Sequence, residues 1–383
     1  MSFLAPLLVL GLVILVHELG HFWAAKLFGV YAPRFSIGFG PTLWAWRRGE
    51  TEYVLAAIPL GGYVRMATRD DEATAALEGG LDTAKGGKAV ALDPNAMIPF
   101  GPKPVPPERW FESKPLWQRV IILLAGVSMN VVLAVVVLAS IFGVLGRPHV
   151  RPIVEAVVDT MPAARAGLLA GDSIASVDGV AMTSWAGVVN VVSQAPGRPV
   201  RIGVVRGGAT VEITVTPEPA VDTNLVTGEP VTVGRIGMQA PEAIRVRVNP
   251  AQAAVLGTQA TWRMGVSVLQ VLKGLVTGSI GVNQLGGPVA IARSSVQAAQ
   301  SGLENLFVLI AFLSVNLAIL NLVPIPLLDG GQILLQSAEA AKGSPFSDRA
   351  REWYARIGLA AIATLFIVVT FNDIKALVVG WIS

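Results

Sequence analysis

The sequence predicts a polytopic α-helical membrane protein with about four transmembrane helices, a membrane-associated β-loop and an inserted, β-rich extracytoplasmic domain. Three observations lead there. Hydrophobic residues make up 53% of the 383 residues and charged ones only 14%, where a soluble domain carries nearer a quarter. Several apolar runs reach the length of about 20 residues that a helix needs to cross the hydrocarbon core. Between the second and third of these runs the pattern changes to short alternating strands separated by Gly-Asp and Asp-Gly turns.

The first run, Ser2 to Phe28, lies in a segment spanning 1–30 and lacks the charged start and small-residue cleavage site of a secretory signal. Lys26 and Arg34 follow it, which by the positive-inside rule puts the N-terminus outside and the next segment in the cytoplasm. In that segment, 31–119, the run Tyr53 to Arg65 is rich in aromatic, β-branched and Gly residues and reads as a short hairpin or looped strands. Residues 68–107 are Gly-, Pro- and acid-rich and read as a loop, and Glu108 to Arg119 mixes Trp110, Phe111 and Trp117 with charges as an interfacial helix does. A second span occupies 120–146. Residues 148–240 form the soluble domain, with strands at Val200 to Arg206 and Val211 to Val215. Residues 241–303 read as an amphipathic linker segment, in which 243–275 have helical apolar spacing with few charges and are expected along the outer surface. The stretch 304–383 holds the third span, Leu306 to Leu328, and the fourth, Ile357 to Ile382, joined by a cytoplasmic loop bearing Lys342, Arg349, Arg351 and Arg356. Both termini, and the soluble domain, are expected outside.

Several chemistries are excluded at once. The chain has no cysteine, so disulfides, thiolate metal sites and cysteine nucleophiles are absent. A net charge of +3 with no basic cluster gives no footprint for nucleic acid. What stands out is His17-Glu18-Leu19-Gly20-His21 inside the first apolar run. Helical residues i and i+4 share a face, so His17 and His21 can aim two imidazoles at one zinc ion while Glu18 serves as general base. Ionisable groups in mid-membrane cost about 2.5–3.5 kcal/mol each on insertion scales, so three together are expected to have a partner or a task. A catalytic zinc site takes three protein ligands. His149, the remaining histidine, follows the outer end of the second span, whereas His17 lies toward the cytoplasmic side. A carboxylate at the cytoplasmic end of another span suits better, and Asp329, closing the third span, fits. Pro324 and Pro326 break the helix beside it, and irregular backbone at that depth must be buried in protein or line a wet cavity.

These residues resemble the motifs of the site-2 protease family of intramembrane zinc metalloproteases, and within it the bacterial RseP type that regulates sigma-E. His17-Glu-Leu-Gly-His21-Phe22 is similar to the family's first motif, and Asn321-Leu-Val-Pro-Ile-Pro-Leu-Leu-Asp329-Gly330 to its second. Ile58-Pro-Leu-Gly61-Gly62-Tyr63-Val-Arg-Met66 resembles the membrane-associated β-loop, and Phe111 to Arg119 with Ala125-Gly-Val-Ser-Met-Asn130 resembles the region around the start of the second span, with Val127 where relatives often carry Pro. Gly286-Gly-Pro288 also matches a family segment. The resemblance implies one zinc per chain held by His17, His21 and Asp329, with Glu18 catalytic and Asn321, Pro324, Pro326, Gly61, Gly62 and Tyr63 meeting the substrate. The run Ala163 to Ile174 with Val177-Asp-Gly179 resembles a PDZ domain, present once where studied relatives carry two. Its peptide groove would be Gly234, Ile236, Gly237 and Met238, taking a C-terminal peptide by strand addition. A size filter with an unused groove is the equal alternative. The implied activity is cleavage of single-span membrane proteins already shortened outside, such as anti-sigma factors or remnant signal peptides, in the bacterial inner membrane. The rivals are a catalytically silent PDZ scaffold in the bilayer and, more thinly, a metal transporter.

Overall fold

The structure, a computed structural model, describes residues 4–68, 96–223, 230–282 and 285–382, and most of the expected 68–107 loop lies outside them. The chain divides into two compact units, one of Met1–Ala139, Ala254–Leu269 and Gly281–Ser383, the other of Ser140–Ala253 and Gln270–Ile280.

The first unit is built on four helices long and apolar enough to cross a membrane: α1 (Ala5–Leu27), α2 (Leu116–Leu145), α7 (Leu303–Leu322) and α9 (Asp348–Ile382). Val9 and Val13 of α1 pack with Ile310 of α7 and with Leu133 and Val137 of α2, so these three helices share one apolar seam. The close approach needs small residues: a Cβ on Gly20 would lie 2.7 Å from the Ala125 carbonyl carbon. Below the seam lies a long hairpin, β1 (Arg34–Arg48) and β2 (Thr51–Arg65). It folds back on itself: Arg34 to Ile37 lies opposite Glu52 to Leu55 on one side and opposite Arg65 to Gly62 on the other. Phe22 of α1 anchors it against Phe35 and Tyr53. Glu50 in its turn accepts from Lys26 Nζ at 2.6 Å and from both Arg109 guanidinium ends at 2.7 and 2.9 Å. Burial opposes ionisation of Glu50, but the two cations outweigh it and hold its carboxyl below the ordinary value.

Three expectations fail here, two of them through the chemistry of proline. No interfacial helix runs from Glu108 to Arg119; a single 3₁₀ turn, Pro107–Arg109, is followed by bends, and α2 starts at Leu116. Pro115 keeps the residue before it out of the helical region and is itself well suited to open a helix. The third span ends at Leu322, not Leu328, because Pro324 and Pro326 force extended backbone. The connection to the fourth span is not a loop: α8 (Asp329–Lys342) fills it and stops at Gly343 in the left-handed conformation, φ 79°, before α9 begins at Asp348. Its buried face carries Gly330, Gly331, Gln336 and Glu339, too polar to read as an apolar stripe. Residues 241–303 hold α5 (Pro250–Thr277) and α6 (Pro288–Gln300). Asp373 of α9 caps the latter, accepting from Gly287 N at 3.0 Å and Ala290 N at 2.9 Å.

The second unit contains a four-stranded sheet ordered β6 (Val180–Ala181), β5 (Ser173–Val177), β7 (Val200–Arg206), β8 (Ala209–Val215). Val200, Ile202 and Val204 alternate into a core with Ile174, Val177, Leu168 and Ile236, and α4 (Trp185–Ser193) adds Val188 and Val192. The Asp178-Gly179 turn has φ of 48° and 81°. Asp172, almost fully buried, accepts from Arg206 Nε and Nη2 at 2.7 Å each and from Leu169 N at 2.9 Å.

Candidate metal centre

Helical spacing puts His17 and His21 on the buried face of α1, 5% and 6% exposed, with their rings edge to face and their Nε2 atoms 3.1 Å apart. The third member arrives from the far end of the chain. After α7 stops, Val323 turns extended, Leu327 takes φ 79°, and Asp329 opens α8. The turn is tight enough to demand Gly330 and Gly331, where a Cβ would come within 2.5 Å of the Leu322 and Ile325 carbonyl carbons respectively. Tyr354 of α9 ties it down, donating to Gly331 O at 2.9 Å. Asp329 Oδ2 thereby lies 3.2 Å from His17 Nε2 and 3.5 Å from His21 Nε2.

This triangle fits a metal ion better than a hydrogen-bonded cluster. His21 Nδ1 donates to Ile122 O at 2.8 Å, which leaves its Nε2 as a lone pair aimed inward. Asp329 Oδ2 is buried and has no hydrogen bond. Ligand bonds of about 2.0–2.2 Å in a tetrahedron imply edges of about 3.3–3.5 Å, and the observed edges are 3.1, 3.2 and 3.5 Å. Among the described residues His17, His21 and Asp329 are the one group of such side chains placed to hold a metal. Gly126 of α2 forms the floor: a Cβ there would reach 2.6 Å from His21 Cε1 and 2.9 Å from His17 Cε1.

Glu18 lines the same cavity, of about 400 Å³, together with Asn321, Val64, Met66 and Leu317. Its Oε2 accepts from Val64 N at 3.2 Å, on the outer edge of β2. Asn321 Nδ2 lies 3.1 Å from His17 Nε2. The other residues singled out by sequence are placed around the centre or away from it. Gly61, with φ 113°, backs onto Ile14 and Phe39, and Gly62 pairs with Ile37. Tyr63 stacks on Phe39 and lines an adjoining cavity of about 470 Å³ with Gln332 and Gln336. Pro324 is exposed, and Pro326 packs on Gly358 of α9. His149 belongs to β3 (Arg147–His149) of the second unit. In that unit Gly234 pairs with Pro219 inside β10 (Pro230–Arg235), where a Cβ would crowd the Val192 carbonyl of α4. Ile236 is buried in the core, Gly237 O accepts from Val158 N at 2.9 Å, and Met238 pairs with Val157. Gly126, Asn130 and Val64 were given no role from sequence. A lone Asn in an apolar helix, with Gly one turn before it, is the signal that could have found the first two; the Val64 contribution is backbone and leaves no mark.

Comparison with known proteins matches residues 5–365 to the model of peptidase family M50. The chain is 34% identical to the regulator of sigma-W protease RasP of Bacillus subtilis over 98% of each chain. It is 33% identical to the zinc metalloprotease RasP of Geobacillus kaustophilus, again over 98% of each. It is also 33% identical to the metalloprotease MmpA of Caulobacter vibrioides, over 96% of this chain and 94% of the relative. A match of that length, on a chain whose distant ends meet in a His-His-Asp triangle beside a glutamate, makes this protein a metalloprotease belonging to peptidase family M50.

Proposed function

We propose that the chain is a zinc-dependent intramembrane protease that cleaves single-span membrane proteins after their outer portions have been removed. The observation that carries this reading is that His17, Glu18 and His21 lie on a helix long and apolar enough to span a bilayer and meet Asp329, just beyond the end of another, in a cavity that also contains a strand edge. Zinc held by His17, His21 and Asp329 supplies Lewis acidity, which polarises a carbonyl and acidifies water. Glu18 takes the proton of the attacking water at its carboxylate and passes it to the leaving amine. Val64 N–H, donating to Oε2, steadies that carboxylate. Asn321, reaching into the same cavity, orients the scissile segment. A helix must open before it can be cut, because its amides are hydrogen-bonded and shielded. The edge Gly62 to Arg65 offers the opened segment a strand partner.

The second unit, read as an extracytoplasmic PDZ domain, acts as an excluder of intact substrates. Ile236 is spent on the core and the Gly237 carbonyl is already engaged, which favours a size filter over a peptide groove there. The similarity to a regulator of sigma-W protease is in keeping with substrates of the anti-sigma type, cleaved in a bacterial inner membrane. A catalytically silent scaffold has no use for Glu18 beside three ligands. The test is cleavage of a tagged single-span protein by the purified chain in liposomes, with the outer portion intact or trimmed. Cleavage of the trimmed form alone is expected. Equal cleavage of both removes the filter, and cleavage of neither removes the substrate class.

A further inference from the structure

Asn130 is fully buried on α2, one turn beyond Gly126, and its side-chain amide faces His17 from the side opposite Asp329. Nδ2 lies 3.5 Å from His17 Nδ1, while Oδ1 is buried with no hydrogen bond. Both facts point the same way. An amide nitrogen can only donate, and an amide oxygen can only accept. An ion held between His17, His21 and Asp329 takes the Nε2 lone pair of His17, whose Nε2 lies 3.2 Å from Asp329 Oδ2, so the ring proton sits on Nδ1. A donor facing that Nδ1–H is repulsive, whereas exchanging the two ends of the Asn130 amide gives Nδ1–H an acceptor and Oδ1 a partner in one rotation. His21 is already held in the same tautomer by the Ile122 carbonyl. The helix that carries Asn130 is fixed at this level, because Ser314 Oγ of α7 donates to Asn130 O at 2.8 Å.

We infer that Asn130 is a positioning residue of the metal centre: its Oδ1 accepts from His17 Nδ1–H, locks the His17 tautomer with the Nε2 lone pair directed at the ion, and so sets zinc affinity. This rests on the zinc reading above, and it assigns to Asn130 for His17 the part that the Ile122 carbonyl plays for His21. Outer partners of ligating histidines are generally worth about 10–100-fold in metal affinity.

The test measures zinc affinity of the full-length protein in detergent by competition with a chromogenic chelator, for wild type, Asn130→Leu and Asn130→Asp, with helix content and thermal unfolding followed in parallel. Leucine is near in size and cannot accept a hydrogen bond; aspartate can. The expected result is a 10–100-fold weaker zinc affinity for Asn130→Leu and an affinity within about 3-fold of wild type, or tighter, for Asn130→Asp. Wild-type affinity in a folded Asn130→Leu overturns the inference. So does a folded Asn130→Asp that has lost zinc, which decides the matter even if the leucine variant does not fold. No zinc in wild type overturns the function proposed above instead, so the two failures are distinct.

Discussion

Gly126→Ala is a small change that reaches the metal centre without replacing a ligand. The added Cβ would come 2.6 Å from His21 Cε1 and 2.9 Å from His17 Cε1, and closer still to His21 Nε2, where ordinary contact begins at 3.4 Å. One ring or the helix must therefore give by about 0.8 Å, while metal ligands tolerate about 0.2 Å. Displacement on that scale costs about 100-fold in rate, and zinc affinity falls by a comparable factor. Helix propensity acts in the opposite direction: Gly to Ala inside a helix is worth about 0.5–1 kcal/mol of stability. The expected protein is thus folded, no less stable in α2, and poor in zinc and activity. Zinc per chain after dialysis against a weak chelator, together with cleavage of a tagged substrate, reads this out. Gly143→Ala is the control on the same helix, since its Cβ would meet nothing nearer than 3.7 Å, and it should leave both readouts unchanged. Full zinc and full activity in Gly126→Ala would refute the packing argument.

Other outcomes follow from single contacts. Ser314→Ala removes one interhelical hydrogen bond to Asn130 O and should cost about 0.6 kcal/mol in detergent unfolding; a loss several times larger would mean the residue does more than tie α7 to α2. Asp373→Ala uncaps α6 and should cost about 0.5–2 kcal/mol, seen as faster hydrogen exchange at Ala290; unchanged exchange there would contradict the cap. Gly331→Ala forces the turn before α8 apart and should cost zinc as well as stability, so a variant that keeps one zinc per chain would show the turn to be more pliant than its contacts imply. In the second unit, the Arg206 hydrogen bonds hold the Asp172 carboxyl below its ordinary value. A folded value below the unfolded one, about 3.9, gives stabilisation that is complete above that value and lost as pH falls through the folded one. Hydrogen exchange in β5 and β7 should therefore accelerate below about pH 4 in wild type and lose that acid step in Asp172→Asn; an identical step in the variant would assign it elsewhere.

Much of the site was legible because its chemistry is local. His17 and His21 lie one turn apart on one helix, so spacing alone fixes their common face, with Glu18 beside them. Asp329 was legible as a residue but not as a structure: expected to close the third span, it begins a new helix after a proline-broken turn. The strands of the second unit were readable at Val200 to Arg206 because alternate residues are apolar and buried. Helix α8 was missed because its buried face is made of Gly, Gln and Glu, and Glu339 is inside only by virtue of its bonds to Arg351 and Phe346 N. The doubled pairing of Arg34 to Ile37 was also out of reach, since no local pattern announces that one segment has partners on both edges. Asn130 and Gly126 act across a gap of more than a hundred positions from His17, where only the folded chain brings them together.

The most direct test of the central claim pairs wild type with Glu18→Gln, purified in detergent, assaying zinc per chain and cleavage of a trimmed single-span substrate. The account predicts about one zinc per chain in both proteins and cleavage by wild type alone, because the glutamine cannot take the proton but leaves His17, His21 and Asp329 in place. Cleavage by Glu18→Gln at the wild-type rate, or absence of zinc from both, would contradict it.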